Sequence, residues 1–304
     1  MSVVWESCAG GARVLRVLGD TPCPVVPYAV DGVPVVEIGP YCFADKPVTG
    51  GTLWPADSAD THEITGNFVE EVTLPDAVRV IDSAAFYNCR RLRRVALGPT
   101  ADSFGSDLFT NCRSLQTLEL HADPGEPTGL RRLLVAISAD VTVAFTGGAR
   151  LFYPEYFELL DENTPAHIFN HSIEGEGYRY RQCFDGSVLR FAEYDAAFPQ
   201  ACVGESEKTL CRIALDRLCT PFALLPEAQG IYSAYLAAHA ASAAAPLIAR
   251  HDTESLQLVL KLADEENRRQ IALACSQSGW SEGAALTLGG QRPRRQKTYD
   301  FDDL

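Results

Sequence analysis

Residues 86–97 read FYNCRRLRRVAL, and residues 109–120 read FTNCRSLQTLEL. Phe86, Cys89, Leu92, Val95 and Leu97 each have a counterpart 23 positions later, at Phe109, Cys112, Leu115, Leu118 and Leu120. One step back the pattern reaches Val72 and Leu74, and one step forward Val141 and Val143; Ile81 precedes Phe86 by five residues as Phe104 precedes Phe109. A fixed period of about 20 to 29 residues is the mark of a solenoid in which each unit is one winding of the backbone. A single winding cannot bury its own apolar face, so the units must stack. In VAL (95–97) and LEL (118–120) apolar residues alternate with Ala96 and Glu119, the period-two pattern of a strand with one buried face. The expectation is a row of parallel strands with Val72, Val95, Leu118 and Val141 inside and Phe86 above Phe109 on the opposite wall. Glu71, Thr73, Arg94, Ala96, Thr117, Glu119, Asp140 and Thr142 would then form adjoining outward rows, the face on which solenoids often bind ligands.

The run VTLPDAVRVIDSAAFYNCRRLRRVAL resembles the BspA-like, or treponemal-type, leucine-rich repeats: Leu74-Pro75, Val78, Ile81, Ala85-Phe86, Cys89 and Leu92 occupy the places of that unit. The N-terminal VVPYAVDGVPVVEIGPYCFADK is similar, through Val26-Pro27, the DGVP turn, Ile38 and Phe43. The resemblance covers residues 13 to 145, with 46–68 departing from it as an irregular loop or a degenerate coil. It implies a leucine-rich-repeat β-solenoid that recognises other proteins. It also brings to mind bacterial surface adhesion molecules.

The remainder lacks the period. YPEYFELLDEN, with Pro154 in a first turn, is expected to be a short helix. Tyr178, Tyr180 and Gln182 alternate with Arg179, Arg181 and Cys183 ahead of Asp185-Gly186, which suggests a β-hairpin. From Ser206 the spacing is helical, with Leu210, Ile213, Ala214 and Leu218 on one stripe. A long Ala-rich helix with Tyr232, Tyr235, Leu236 and His239 on one face follows, then helix pairs loosely similar to the ankyrin type. The reading is thus α+β: a leucine-rich-repeat solenoid over 1–145, a connector with short helix and hairpin over 146–203, a C-terminal helical domain over 204–290 and a mobile tail over 291–304.

With 26 basic and 40 acidic residues the formal net charge is -14, which disfavours nucleic acid and anionic membranes as partners. Residues 231–249 carry no formal charge but are mainly Ala, a weak membrane span. The opening MSVVWESCAGG has no secretory pattern, and the ten cysteines include no C-x2-C pair. A cytoplasmic protein with reduced thiols, no cofactor and no bound metal is the expectation. Cys89 and Cys112 are expected to fill small interior slots.

The functional expectation is a non-enzymatic protein–protein interaction scaffold. Its candidate partner-binding residues are Arg90, Arg91, Arg93, Arg94 and Arg113, a local basic patch suited to an acidic or phosphorylated partner, with Glu71, Thr73, Thr117, Glu119 and Thr142 on the sheet face. Two alternatives stand beside it: an enzyme or metal-dependent site in the middle segment, using the H-x3-H pair His167 and His171 with Arg179, Arg181 and Cys183, and an adhesion protein exported by an unconventional route.

Overall fold

Phe43, Phe86 and Phe109 stack face to face, with ring centroids 5.1 and 5.4 Å apart and planes inclined by 4° and 13°. The repeat is therefore one turn of a solenoid, and the N-terminal coil joins the same stack. The structure, a computed structural model, describes residues 1–60, 62–163 and 168–289, and the chain divides into two compact units, Met1–Ala228 and Gln229–Leu304.

The first unit starts with an antiparallel pair, β1 (Ser2–Cys8) and β2 (Gly11–Leu18). β3 (Ala29–Val30) and β4 (Val33–Ile38) follow, joined through Asp31 and Gly32, both at positive φ. β5 (Thr52–Trp54) adds to the outer edge of β1. Then come β6 (Glu71–Thr73), β7 (Val80–Ile81), β8 (Arg94–Leu97), β9 (Ser103–Phe104) and β10 (Thr117–Leu120). Two coils, β6 with β7 and β8 with β9, contribute one strand to each of two parallel ladders, β4-β7-β9 and β6-β8-β10, which β4 and β10 extend at one end each. The Phe43 amide donates directly to the Ala85 carbonyl at 2.8 Å, so no winding stands between those coils. Residues 46–68 are an excursion that carries β5.

The fourth coil departs from the period. It contains α1 (Leu130–Val135) before β11 (Val141–Phe145), and Leu118 lies opposite Val143, 25 residues on. Val143, not Val141, therefore continues the buried row of Val72, Val95 and Leu118. β12 (Arg150–Tyr153) returns antiparallel and ends the sheet.

Two expectations for the next segment are corrected. Where a short helix was expected, β13 (Phe157–Asn163) pairs with β14 (Ile168–Glu174) as a two-stranded hairpin; Phe157 and Leu159 fit period two as well as a helical turn. Where a strand was expected, Gly177–Tyr180 is α2, and only the turn at Gly186 survives, between the two-residue strands β15 (Phe184–Asp185) and β16 (Val188–Leu189). Arg181, the residue after this turn, is buried. α3 (Phe191–Ala196), α4 (Phe198–Gly204) and α5 (Glu207–Cys219) complete the unit. Ser206 caps α5 by accepting from the Thr209 amide at 3.2 Å. α5 packs on β12. The boundaries expected at 145 and 203 fall inside this unit.

In the second unit the expected single Ala-rich helix is two, α6 (Pro226–Ala238) and α7 (Ala240–Arg250), bent by 82° at His239. Among the described residues no single helix is long and apolar enough to cross a membrane. α8 (Thr253–Leu262), α9 (Glu265–Gln277) and α10 (Ser281–Gly289) follow; α7 packs on α8 and α9, and α9 on α10. Asp252 caps α8 through the Ser255 amide at 3.1 Å. The tail at 291–304 lies outside the described residues.

Candidate interaction surface

Parallel register places residues one coil apart side by side, so the outward rows can be read directly. Glu71, Arg94, Thr117, Thr142 and Phe152 form one row; Thr73, Ala96, Glu119, Ala144 and Arg150 form the next. Along these rows charges meet their opposites. Arg94 lies between Glu119, at 2.8 Å, and Glu71, at 3.5 Å. Arg93 reaches Glu70 at 2.9 Å and Glu71 at 3.8 Å, and Arg91 also pairs with Glu70. His121 continues the line, with Nδ1 2.6 Å from Asp76 and Nε2 3.6 Å from Glu119. The result is a continuous lattice from Arg91 to Asp76. Arg94, Glu71 and Glu119 lie flat, each about one-third exposed, and Ala96 beneath them is buried. Exposed pairs of this kind contribute about 0 to 1 kcal/mol each; what they set is the pattern of charge.

This geometry corrects the reading of an open basic patch. Arg91, Arg93 and Arg94 are neutralised by acids one coil away, which the local sequence conceals because the partners lie 21 to 25 residues distant. Arg90 and Arg113 are exposed and make no ion pair among the described residues. Thr142 is also corrected: it is buried under α5, where the Arg212 Nη2 donates to its Oγ1 at 2.8 Å while the guanidinium lies 4.0 Å from the Phe152 ring centroid. Arg150 pairs with Asp216 at 3.2 Å on the same helix. At the opposite edge β6 is paired by the segment at 22–26, through amide–carbonyl bonds of Thr73 with Val26 and Pro24 at 2.9 and 3.0 Å. The open part of the sheet therefore comprises Glu71, Thr73, Arg94, Thr117, Glu119 and His121. His121 was legible, being the next outward residue after Glu119; Glu70 and Asp76 were not, because they lie outside the alternation.

Among the described residues, the candidate side chains of the middle segment fall in separate settings. His167 lies outside the described residues. His171 stands on the strand β14, exposed, 3.3 Å from Glu158 on β13. Arg179 is on the surface with Glu176 at 3.1 Å. Arg181 is buried and donates to the carbonyls of Ile137, Gly177 and Ala139 at 2.9, 2.9 and 2.8 Å, and to that of Pro154, with the Tyr156 ring 5.0 Å from its carbon. Burial draws its pKa down to about 10, which leaves it charged at neutral pH. Its donors are used on carbonyls, not on an anion. Burial likewise pushes the Cys183 thiol up to about 12. Among the described residues no group of three or more His, Cys, Asp or Glu side chains is placed to hold a metal ion.

The repeated cysteines have a shared structural role. Cys89 Sγ donates to the Phe43 carbonyl at 3.1 Å, and Cys112 Sγ donates to the Phe86 carbonyl at 2.9 Å. Each thiol reaches back one coil, and burial raises both pKa values, that of Cys112 to about 12.

Residues 65–125 match the family described as the BspA type leucine rich repeat region (6 copies). No curated protein and no solved structure matches the chain. The match spans the coils of Phe86 and Phe109, while the Phe43 coil, which stacks on them, lies outside it.

Proposed function

From a chain whose residues 65–125 are a BspA-type leucine-rich repeat region, we propose a non-enzymatic protein–protein interaction scaffold that binds its partner on the open sheet face of β6, β8 and β10. The observation that carries this reading is the charge lattice. Arg94 is held between Glu71 and Glu119, so donors and acceptors alternate at fixed strand spacing on a rigid base. A partner with the complementary alternation meets a preorganised surface and spends little ordering entropy, whereas one of uniform charge meets like charges; such surfaces act on specificity and association rate. The face also lies between two covered edges, β12 under α5 and β6 along residues 22–26, which gives it a defined width.

The test is cross-linking in the native cell, comparing the wild-type chain with Arg94→Glu and with the double exchange Arg94→Glu/Glu119→Arg. Retained near-ultraviolet circular dichroism with at least a tenfold loss of the partner cross-link in the single variant is expected. The exchange should keep the fold and leave binding impaired, because the order of charges along the row is reversed. Unchanged cross-links in both would remove this face from consideration. We also propose a cytoplasmic location, a compartment that keeps thiols such as those of Cys89 and Cys112 reduced. Cell fractionation tests it.

A further inference from the structure

Three arginines of this stretch find acids one coil away, and two do not. Arg90 and Arg113 are exposed and make no ion pair among the described residues. They occupy one position of the repeat, 23 residues apart, each directly after its cysteine. The Arg90 amide donates to the Asn88 carbonyl at 2.8 Å, and the Arg113 amide to the Asn111 carbonyl at 2.9 Å. Both asparagines are left-handed, with φ of 61° and 63°. The two turns are therefore alike, and the side chains at 90 and 113 leave them in the same sense.

The coils also touch here. The Asn88 amide donates to the Thr110 carbonyl at 2.9 Å, and Asn111 Nδ2 donates to Asn88 Oδ1 at 2.8 Å. Backbones bonded in this way stand about 5 Å apart, so the two arginines are rooted side by side on neighbouring windings. Like charges in register repel. Elsewhere on this surface such repulsion is removed: Glu70 is held by Arg91 and Arg93, and Glu71 and Glu119 by Arg94. At positions 90 and 113 the protein supplies no counter-charge.

The chain has 40 acidic residues against 26 basic, so an unopposed arginine pair is a local inversion of its field. Extended polyanions are repelled by the rest of the molecule. A compact anion is not, because screening at physiological salt confines that repulsion to about 8 Å. A phosphate monoester carries about −1.5 to −2 charges and three acceptor oxygens, enough for two planar forks approaching from adjacent coils. A carboxylate, with one charge and two oxygens, is filled by one fork. Arg113 also lines a cavity of about 430 Å³ that has Asp107 on its wall, with Asp107 Oδ1 accepting from Thr110 Oγ1 at 3.3 Å. That carboxylate keeps an anion out of the cavity and on the Arg90 side of Arg113.

We propose that Arg90 and Arg113 form a clamp for a phosphorylated side chain of a partner protein, each guanidinium donating to separate oxygens of the phosphate. The clamp lies on the turns that lead into β8 and β10, beside the outward rows of the sheet and not on them. The proposal rests on the reading of the chain as a binding scaffold but not on the sheet face.

The probe is phosphoserine blocked at both ends, added at physiological salt to the full ¹⁵N-labelled chain. Saturable shifts of the Arg90 and Arg113 Nε–Hε signals are expected, with blocked glutamate binding at least tenfold more weakly. Arg90→Gln and Arg113→Gln should each weaken phosphoserine binding at least fivefold and together abolish it. Both side chains are exposed, so near-ultraviolet circular dichroism should be unchanged and any Arg94-dependent cross-link retained. In cross-linking from the native cell, the double variant should lose, by at least tenfold, a partner that is also lost when the extract is first treated with phosphatase. No shift at the two arginines, equal binding of glutamate, or unchanged affinity in the double variant would overturn the clamp. Saturation by inorganic phosphate together with cross-links indifferent to phosphatase would assign the pair to the free ion and overturn the partner. Each of these outcomes leaves the sheet-face reading untouched.

Discussion

Truncating Phe86 to Ala removes a ring held between Phe43 and Phe109, at 5.1 and 5.4 Å. A loss of about 3 to 5 kcal/mol is expected, read as a lower urea midpoint with unchanged slope. That ring was legible from the 23-residue offset alone, because a core position repeats when its neighbours do. The buried arginines were not. Arg181 takes carbonyls 27 to 44 residues away, and Arg16 takes carbonyls 26 and 28 away, and no local pattern marks a cation that will satisfy distant backbone. Arg181→Met is expected to destabilise by roughly 3 kcal/mol or more, since it strands several buried acceptors; Arg181→Lys should restore little, its ammonium lacking the planar fork. The cysteines give a pH dependence. Burial raises Cys42 and Cys112 from the ordinary 9.0 to about 12, so the folded state favours the neutral thiol. Their contribution is full below pH 9 and lost as pH rises from 9 toward 12, where the unfolded chain ionises first. Denaturant midpoints measured across that range should fall, and iodoacetamide at pH 8 should label exposed Cys23 while sparing Cys42, Cys89 and Cys112 in the native chain.

Between elements, the coils approach so closely that some positions admit no side chain. A Cβ on Gly105 would lie 2.1 Å from the Ser83 amide nitrogen in the coil below. Gly105→Ala must therefore push two windings apart, at a cost of about 1 to 3 kcal/mol by thermal unfolding. The β13–β14 hairpin is the opposite case. It has two strands and exposes Phe157, Leu160 and Ile173, and a lone hairpin is marginal in water. Its amides at Glu158 and Leu160 should exchange faster than those of Val95 and Leu118 in the solenoid; equal protection would show that the hairpin is stabilised by more than its own pairing. This element was misread because Pro154 and the neighbouring acids mimic a helix start, while Phe157 and Leu159 satisfy both periods. At α5 the apolar stripe was read correctly and its buried Arg217, paired with Asp195 at 2.7 Å, was not, since charge within a stripe looks like its solvent side until the partner is known.

At the scale of the whole molecule the chain is two units, each with its own core. A fragment of residues 1–225, ending before α6, should unfold cooperatively and keep the near-ultraviolet signature of the stacked Phe rings, and the full chain should depart from a single two-state transition. A fragment that fails to fold would show that the first core depends on residues beyond it. The sequence by itself determined the winding: a period of 23 with Phe, Cys and Leu in register forces stacked coils, because no single coil can bury those side chains. Only the tertiary structure decided which outward charges meet, where α5 closes the sheet, and that the Phe wall is capped by Arg16 at its Phe43 end. Those facts depend on contacts between residues tens of positions apart, and the physical reason is that ion pairs and buried cations are properties of neighbours in space, which periodicity along a chain does not encode.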